Sequence, residues 1–155
     1  MGTRSLTRVI STYNDEEKNK RVKFHLVNMY RQFDGYPEGH GVELAEFLNA
    51  KKVVNGIGSD RNVFNGASCL AAQMVAHFKT GAGGFYLEPI SAKECGKEYE
   101  YEILVDYDTQ AITLRCLECG YVNKKGEYKN GKRLLFEGQP SDFETFLEKL
   151  NAGEE

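Results

Sequence analysis

No stretch of the 155-residue chain approaches the ~18 consecutive apolar residues that a membrane-spanning helix requires. A helical membrane span is therefore not expected. The opening residues, Met1 to Arg8, lack the apolar central region of a secretory signal, which predicts a cytoplasmic protein. An excess of positive charge is missing as well. Twenty Lys and Arg against 23 Asp and Glu leave a formal charge of -3, the wrong sign for broad, sequence-blind binding to nucleic acid. Nor is there room for a second full domain at ~150 residues each, so residues 1–155 are read as one domain. Hydrophobic residues at 41% and aromatics at 12% separate the chain from the low-hydrophobicity class that stays disordered.

Paired metal-ligand spacing is also lacking. Cysteines stand at 69, 95, 116 and 119, and only Cys116 and Cys119 form a closely spaced pair, whereas a structural zinc site normally shows two pairs. No metal and no cofactor is expected, and Cys69 and Cys116 read as small buried hydrophobes. A thioredoxin-like role would need the Cys pair to open a helix, but here it ends a strand and Gly120 follows.

Residues 4–10 and 21–31 predict two strands joined by a polar tip at 11–20. In the second strand Val22, Phe24, Leu26 and Tyr30 share one parity and make the expected core face. Asp34-Gly35-Tyr36-Pro37-Glu38-Gly39 predicts a loop. Leu44, Phe47 and Leu48 recur at helical spacing over 41–50, with Glu43 near the start favouring the helix dipole. A Gly- and Asn-rich stretch at 53–66 precedes a helix over about 67–80. Leu70, Met74, His77 and Phe78 form its stripe, Asn65 is its expected N-cap and Gly81 its stop.

A strand at 85–90 is followed by a clear one at 99–107, where Tyr101, Ile103, Val105 and Tyr107 alternate with acids, the period of a strand with one wet face. A further strand covers 111–118, and Asn130-Gly131 predicts a two-residue hairpin between 127–129 and 132–136. Ser141 and Glu144 predict a capping box opening a helix that docks through Phe143, Phe146, Leu147 and Leu150. The sum is an α+β fold: an antiparallel sheet of five to seven strands with three helices packed on it.

The segments Gly2-Thr3-Arg4-Ser5-Leu6, Tyr30-Arg31-Gln32-Phe33-Asp34-Gly35-Tyr36-Pro37-Glu38-Gly39, Asn65 to Gln73 and Gly83-Gly84-Phe85-Tyr86-Leu87 together resemble a family of small uncharacterised proteins found in bacteriophages and bacteria. The resemblance spans most of the chain. It implies a viral or bacterial source and a bacterial cytoplasm as the setting, and it brings no catalytic residue with it.

Recognisable nucleophile motifs are absent, and neither phosphate-binding glycine pattern occurs. Two irregular segments remain as candidates. In the first, Tyr36 is placed to stack on a planar ligand while Arg31 and Asp34 engage its polar edges and His40 closes the stretch. In the second, flexible backbone at 56–66 leads into a helix start, where Arg61 offers a bidentate contact that Asn62 or Asn65 would orient. The expectation is a non-catalytic binder of a small anionic or nucleotide-like ligand where these segments meet. One alternative is a homo-oligomeric interaction module, argued from tyrosines such as Tyr13, Tyr86, Tyr121 and Tyr128. The other is a hydrolase or nuclease using Asp34, Glu38 and His40. His77 is expected to be a packing residue and His25 a surface one.

Overall fold

A computed structural model describes residues 2–56, 58–92 and 97–153. Six strands form the main sheet: β1 (Ser5–Asp15), β2 (Lys20–Arg31), β5 (Phe85–Leu87), β6 (Tyr99–Asp106), β7 (Ile112–Val122) and β8 (Tyr128–Gly138), in the order β5-β2-β1-β6-β7-β8. Neighbours run antiparallel except β1 and β6, which are parallel. Two short strands, β3 (Val53–Val54) and β4 (Phe64–Asn65), pair parallel with each other. The helices are α1 (Val42–Asn49), α2 (Gly66–Phe78) and α3 (Phe143–Asn151). The fold is α+β.

Alternation in β6 sends Tyr101, Ile103 and Val105 to the helix-covered side, all essentially buried. Thr7 and Val9 on β1, and Cys116 and Leu114 on β7, lie opposite them and complete the sheet's contribution to the core. Leu44, Phe47 and Leu48 of α1, Leu70, Met74 and Phe78 of α2, and Phe143 and Leu147 of α3 pack onto that side. Burying so many large side chains, at ~25 cal/mol per Å² of apolar surface, is the main drive to this arrangement.

Several expectations require correction. The first hairpin is longer than its polar sequence indicated, with strand geometry reaching Asp15 and resuming at Lys20. In β2 the buried parity is that of Val27 and Met29, while Phe24 and Leu26 are 53% and 37% exposed. The register shift opposite Val9 and Ile10 skips Leu26 and returns Phe24, opposite Ser11, to the side of Val9, where it stacks on Tyr13 outside the buried core.

The acidic face of β6 is not wet. Glu100 is 1% exposed and meets Arg8 of β1 and Lys132 of β8, because residues 88–92 cross beneath β2 and β1 on that side. Pro89 and Ala92 accept hydrogen bonds there from Asn28 Nδ2, and Ala92 accepts another from Arg8. Asn130-Gly131 lies within β8 as a bulge, two residues opposite Gly120. The β7–β8 turn falls at 123–127, where Gly126 takes φ +81° and Asn123 Oδ1 accepts from the amides of Lys125 and Glu127. The capping box at Ser141 does not form; a 3-10 turn at Pro140–Asp142 leads into α3 through backbone bonds. Leu150 is left 38% exposed.

Candidate functional site

The 34–41 segment is built around close approaches. Asp34 sits at φ +60°, which lets its carbonyl accept the amide of His40 at 2.9 Å. Gly35 passes so near β1 that a Cβ there would lie 2.8 Å from Ser5, and its carbonyl accepts the Tyr101 hydroxyl at 2.7 Å. Pro37–Gly41 then forms a π-helical turn continuous with α1, where a loop was expected. The turn carries His40 into the core.

His40 is fully buried among Phe78, Phe85 and Tyr101. Arg31, at the end of β2, approaches Nδ1 at 2.9 Å, and Thr7 Oγ1 lies 2.8 Å from Nε2. A guanidinium only donates, so Nδ1 accepts and the ring proton sits on Nε2, pointing at the threonine hydroxyl. Burial first, and the Arg31 charge second, hold the imidazole neutral with its pKa lowered to about 3. Both ring nitrogens are therefore committed within the fold.

Arg31 donates through Nε to the Phe33 carbonyl at 2.6 Å, pairs with Glu43 at the start of α1 and lies 5.0 Å over the Phe85 ring. Beyond it opens a cavity of about 760 Å³, within the ~300–1,000 Å³ range of small-molecule sites. One wall is α1, where Glu43, Glu46, Phe47 and Ala50 recur at i, i+3, i+4 and i+7. The other is α2, with Gln73, Ala76, His77 and Phe78.

The two helices run antiparallel along the cavity. Lys51, just past the end of α1, donates to Gln73 Oε1 at 2.5 Å, while Gln73 Nε2 donates to the Val63 carbonyl at 3.0 Å. At the other end Phe78 meets Phe85 beside Arg31. From Glu43 to Ala50 is ~10 Å of helix rise, so the cavity carries one cation near each end.

Of the expected residues, Arg31 lines this cavity and His40 holds it from behind. Asp34 and Tyr36 come together, hydroxyl to Oδ1 at 3.4 Å, but on the exposed surface outside the lining. Arg61 and Asn62 occupy an exposed bend that Asp60 closes by accepting the Asn62 amide, and they do not line the cavity either. Asn65 stands at the N-cap position of α2 without capping it; its Oδ1 accepts the Gly56 amide at 2.7 Å.

The residues missed are Glu46, Phe47, Lys51, Gln73 and His77. His77 is exposed rather than packed inside, its ring 5.1 Å from that of Phe47. The available signal was two polar and aromatic stripes at helical spacing, on segments that only tertiary packing brings face to face. Among the described residues no group of three or more His, Cys, Asp or Glu is placed to hold a metal. Cys116 is buried and Cys69 partly buried, while Cys95 lies outside the described residues. No helix is long and apolar enough to cross a membrane. No protein-family model, curated protein or solved structure matches the chain.

Proposed function

We propose that this protein is a non-catalytic binder of a small anionic or nucleotide-like ligand, held in the cavity between α1 and α2. The resemblance to phage and bacterial proteins supports a bacterial cytoplasm as its setting. The observation that carries the reading is Arg31. Its guanidinium is fixed by Glu43, His40 and Phe33, only 12% of the side chain is exposed, and that remainder borders a cavity walled by Phe47, Phe78 and Phe85. A planar or apolar body fits against the rings, and a polar edge meets preorganised donors.

Thermal melts in adenosine monophosphate, inorganic phosphate and a panel of small carboxylates test it. The wild-type chain gains melting temperature with at least one anion, an Arg61→Ala variant gains as much, and Lys51→Ala gains less. No gain from any anion overturns the reading.

A second reading, a homo-oligomeric interaction module, draws on β8. This 11-residue strand has no partner on its outer side among the described residues, and Tyr128 and Leu134 on it are 68% and 46% exposed. Light scattering that returns a dimer or larger species favours it, and a monomer at high concentration dismisses it.

A further inference from the structure

The cavity holds two cations, Arg31 and Lys51, and two carboxylates, Glu43 and Glu46, so its formal charges sum to zero and an anion is held by individual donors rather than by a net field. The four are not equivalent. Arg31 is neutralised by Glu43, and its Nε and one terminal nitrogen are engaged by Phe33, His40 and Glu43. Lys51 has only the neutral Gln73 amide and the face of Phe64, 5.7 Å from its ring centroid, and no carboxylate partner among the described residues. Glu46 has no cationic partner among them. The unpaired charges face the same cavity without bridging to each other, and between the helices the Phe47 and His77 rings lie 35° from parallel.

Resting on the reading above, we infer that the ligand is an ampholyte. Its anionic group binds Lys51, which Gln73 Oε1 positions by accepting one of its hydrogens, its planar body lies on Phe47 and His77, and an amino group or N–H edge donates to Glu46. Arg31, held by Glu43, closes the other end and offers its second terminal nitrogen to a polar edge of the body. Such a ligand completes both unpaired charges at once, whereas a plain anion would satisfy Lys51 while setting its own negative charge beside the unpaired Glu46. An aromatic amino acid and an amino-bearing purine nucleotide both present this chemistry.

Calorimetric titration of the full chain with two matched pairs of probes tests the inference and separates these sources. Phenylalanine is compared with 3-phenylpropionate, which lacks the ammonium group, and adenosine monophosphate with purine riboside monophosphate, which lacks the exocyclic amine. The amino-bearing member of at least one pair binds about ten- to a hundredfold tighter, the scale of one charge-assisted hydrogen bond. Glu46→Gln shrinks that preference while leaving the affinity of the amine-free member in place, and Lys51→Ala weakens both members. Both variants sit on exposed or half-exposed positions, and their melting curves without ligand report folding separately. Equal binding within both pairs, or a preference that survives Glu46→Gln, overturns the inference while leaving the anion-binding reading intact. Failure of all four probes to bind overturns the inference, and the anion-binding reading falls with it only when phosphate and the small carboxylates also give no melting gain.

Discussion

Arg31 and His40 fix each other: the guanidinium donates to Nδ1 at 2.9 Å, so the imidazole keeps its single proton on Nε2 for Thr7. The residue pair that closes the cavity's back wall is also a proton-linked element of the fold.

The sign of that linkage follows from the lowered pKa. In the unfolded chain the imidazole titrates near 6.5, and in the folded chain near 3. Between those values the unfolded state binds the extra proton, so His40 favours folding fully above pH 6.5 and progressively less as pH falls toward 3. Urea titrations of wild type and His40→Gln should show the wild type losing about 1.4 kcal/mol more per pH unit across that window. Parallel pH profiles would show that the ring is not held neutral.

Gly41 takes ordinary helical backbone, φ -58°, so helix propensity alone favours alanine there. The ring of Phe143 opposes it, 2.7 Å from where a Cβ would stand. Gly41→Ala is expected to cost about 1–3 kcal/mol by overpacking, whereas Gly131→Ala, with nothing within 4 Å, is expected to be near neutral. Chemical denaturation of both variants checks the contrast.

Glu100 and Arg8 form a buried pair, their side chains 1% and 9% exposed. Removing one partner strands the other charge, so Glu100→Ala should destabilise by about 3–5 kcal/mol. The double change Arg8→Met with Glu100→Leu should recover most of the loss, since it leaves no buried charge behind: Lys132, the other partner of Glu100, has a side chain 47% exposed and turns to solvent. A double variant as unstable as the single one would argue that the pair organises the 88–92 crossing.

Cys116 is buried beside Tyr101, and burial pushes its thiol up to about 12. Alkylation of the folded chain at pH 8 followed by peptide mass analysis should label Cys69 and Cys119, both partly exposed, before Cys116. Equal rates would place Cys116 nearer solvent than the fold does.

What could be read from the sequence follows from which interactions are local. Leu44, Phe47 and Leu48, and Tyr101, Ile103 and Val105, showed their burial because one face of one element decides it. Leu26 misled because a bulge in β2 skips it, and Phe24 because its place on the helix side, opposite Ser11, lies outside the buried core. Asn130-Gly131 misled because the favoured turn dipeptide was absorbed opposite Gly120 once Asn123 and Gly126 closed the hairpin earlier. Glu100 looked like a solvated acid because its neighbours Arg8 and Lys132 lie 92 and 32 positions away along the chain. The site divides the same way. Arg31 stood out through its own loop, while Glu46, Lys51 and His77 acquire meaning only when α1 and α2 pack antiparallel.

Amide spectra of the 15N-labelled chain, titrated with adenosine monophosphate and with phenylalanine, test the central claim most directly. Shifts concentrated on Arg31, Glu46, Phe47, Lys51, Gln73 and His77 are the predicted result. Shifts centred on the bend at Asp60, Arg61 and Asn62, or none with either compound, would contradict it.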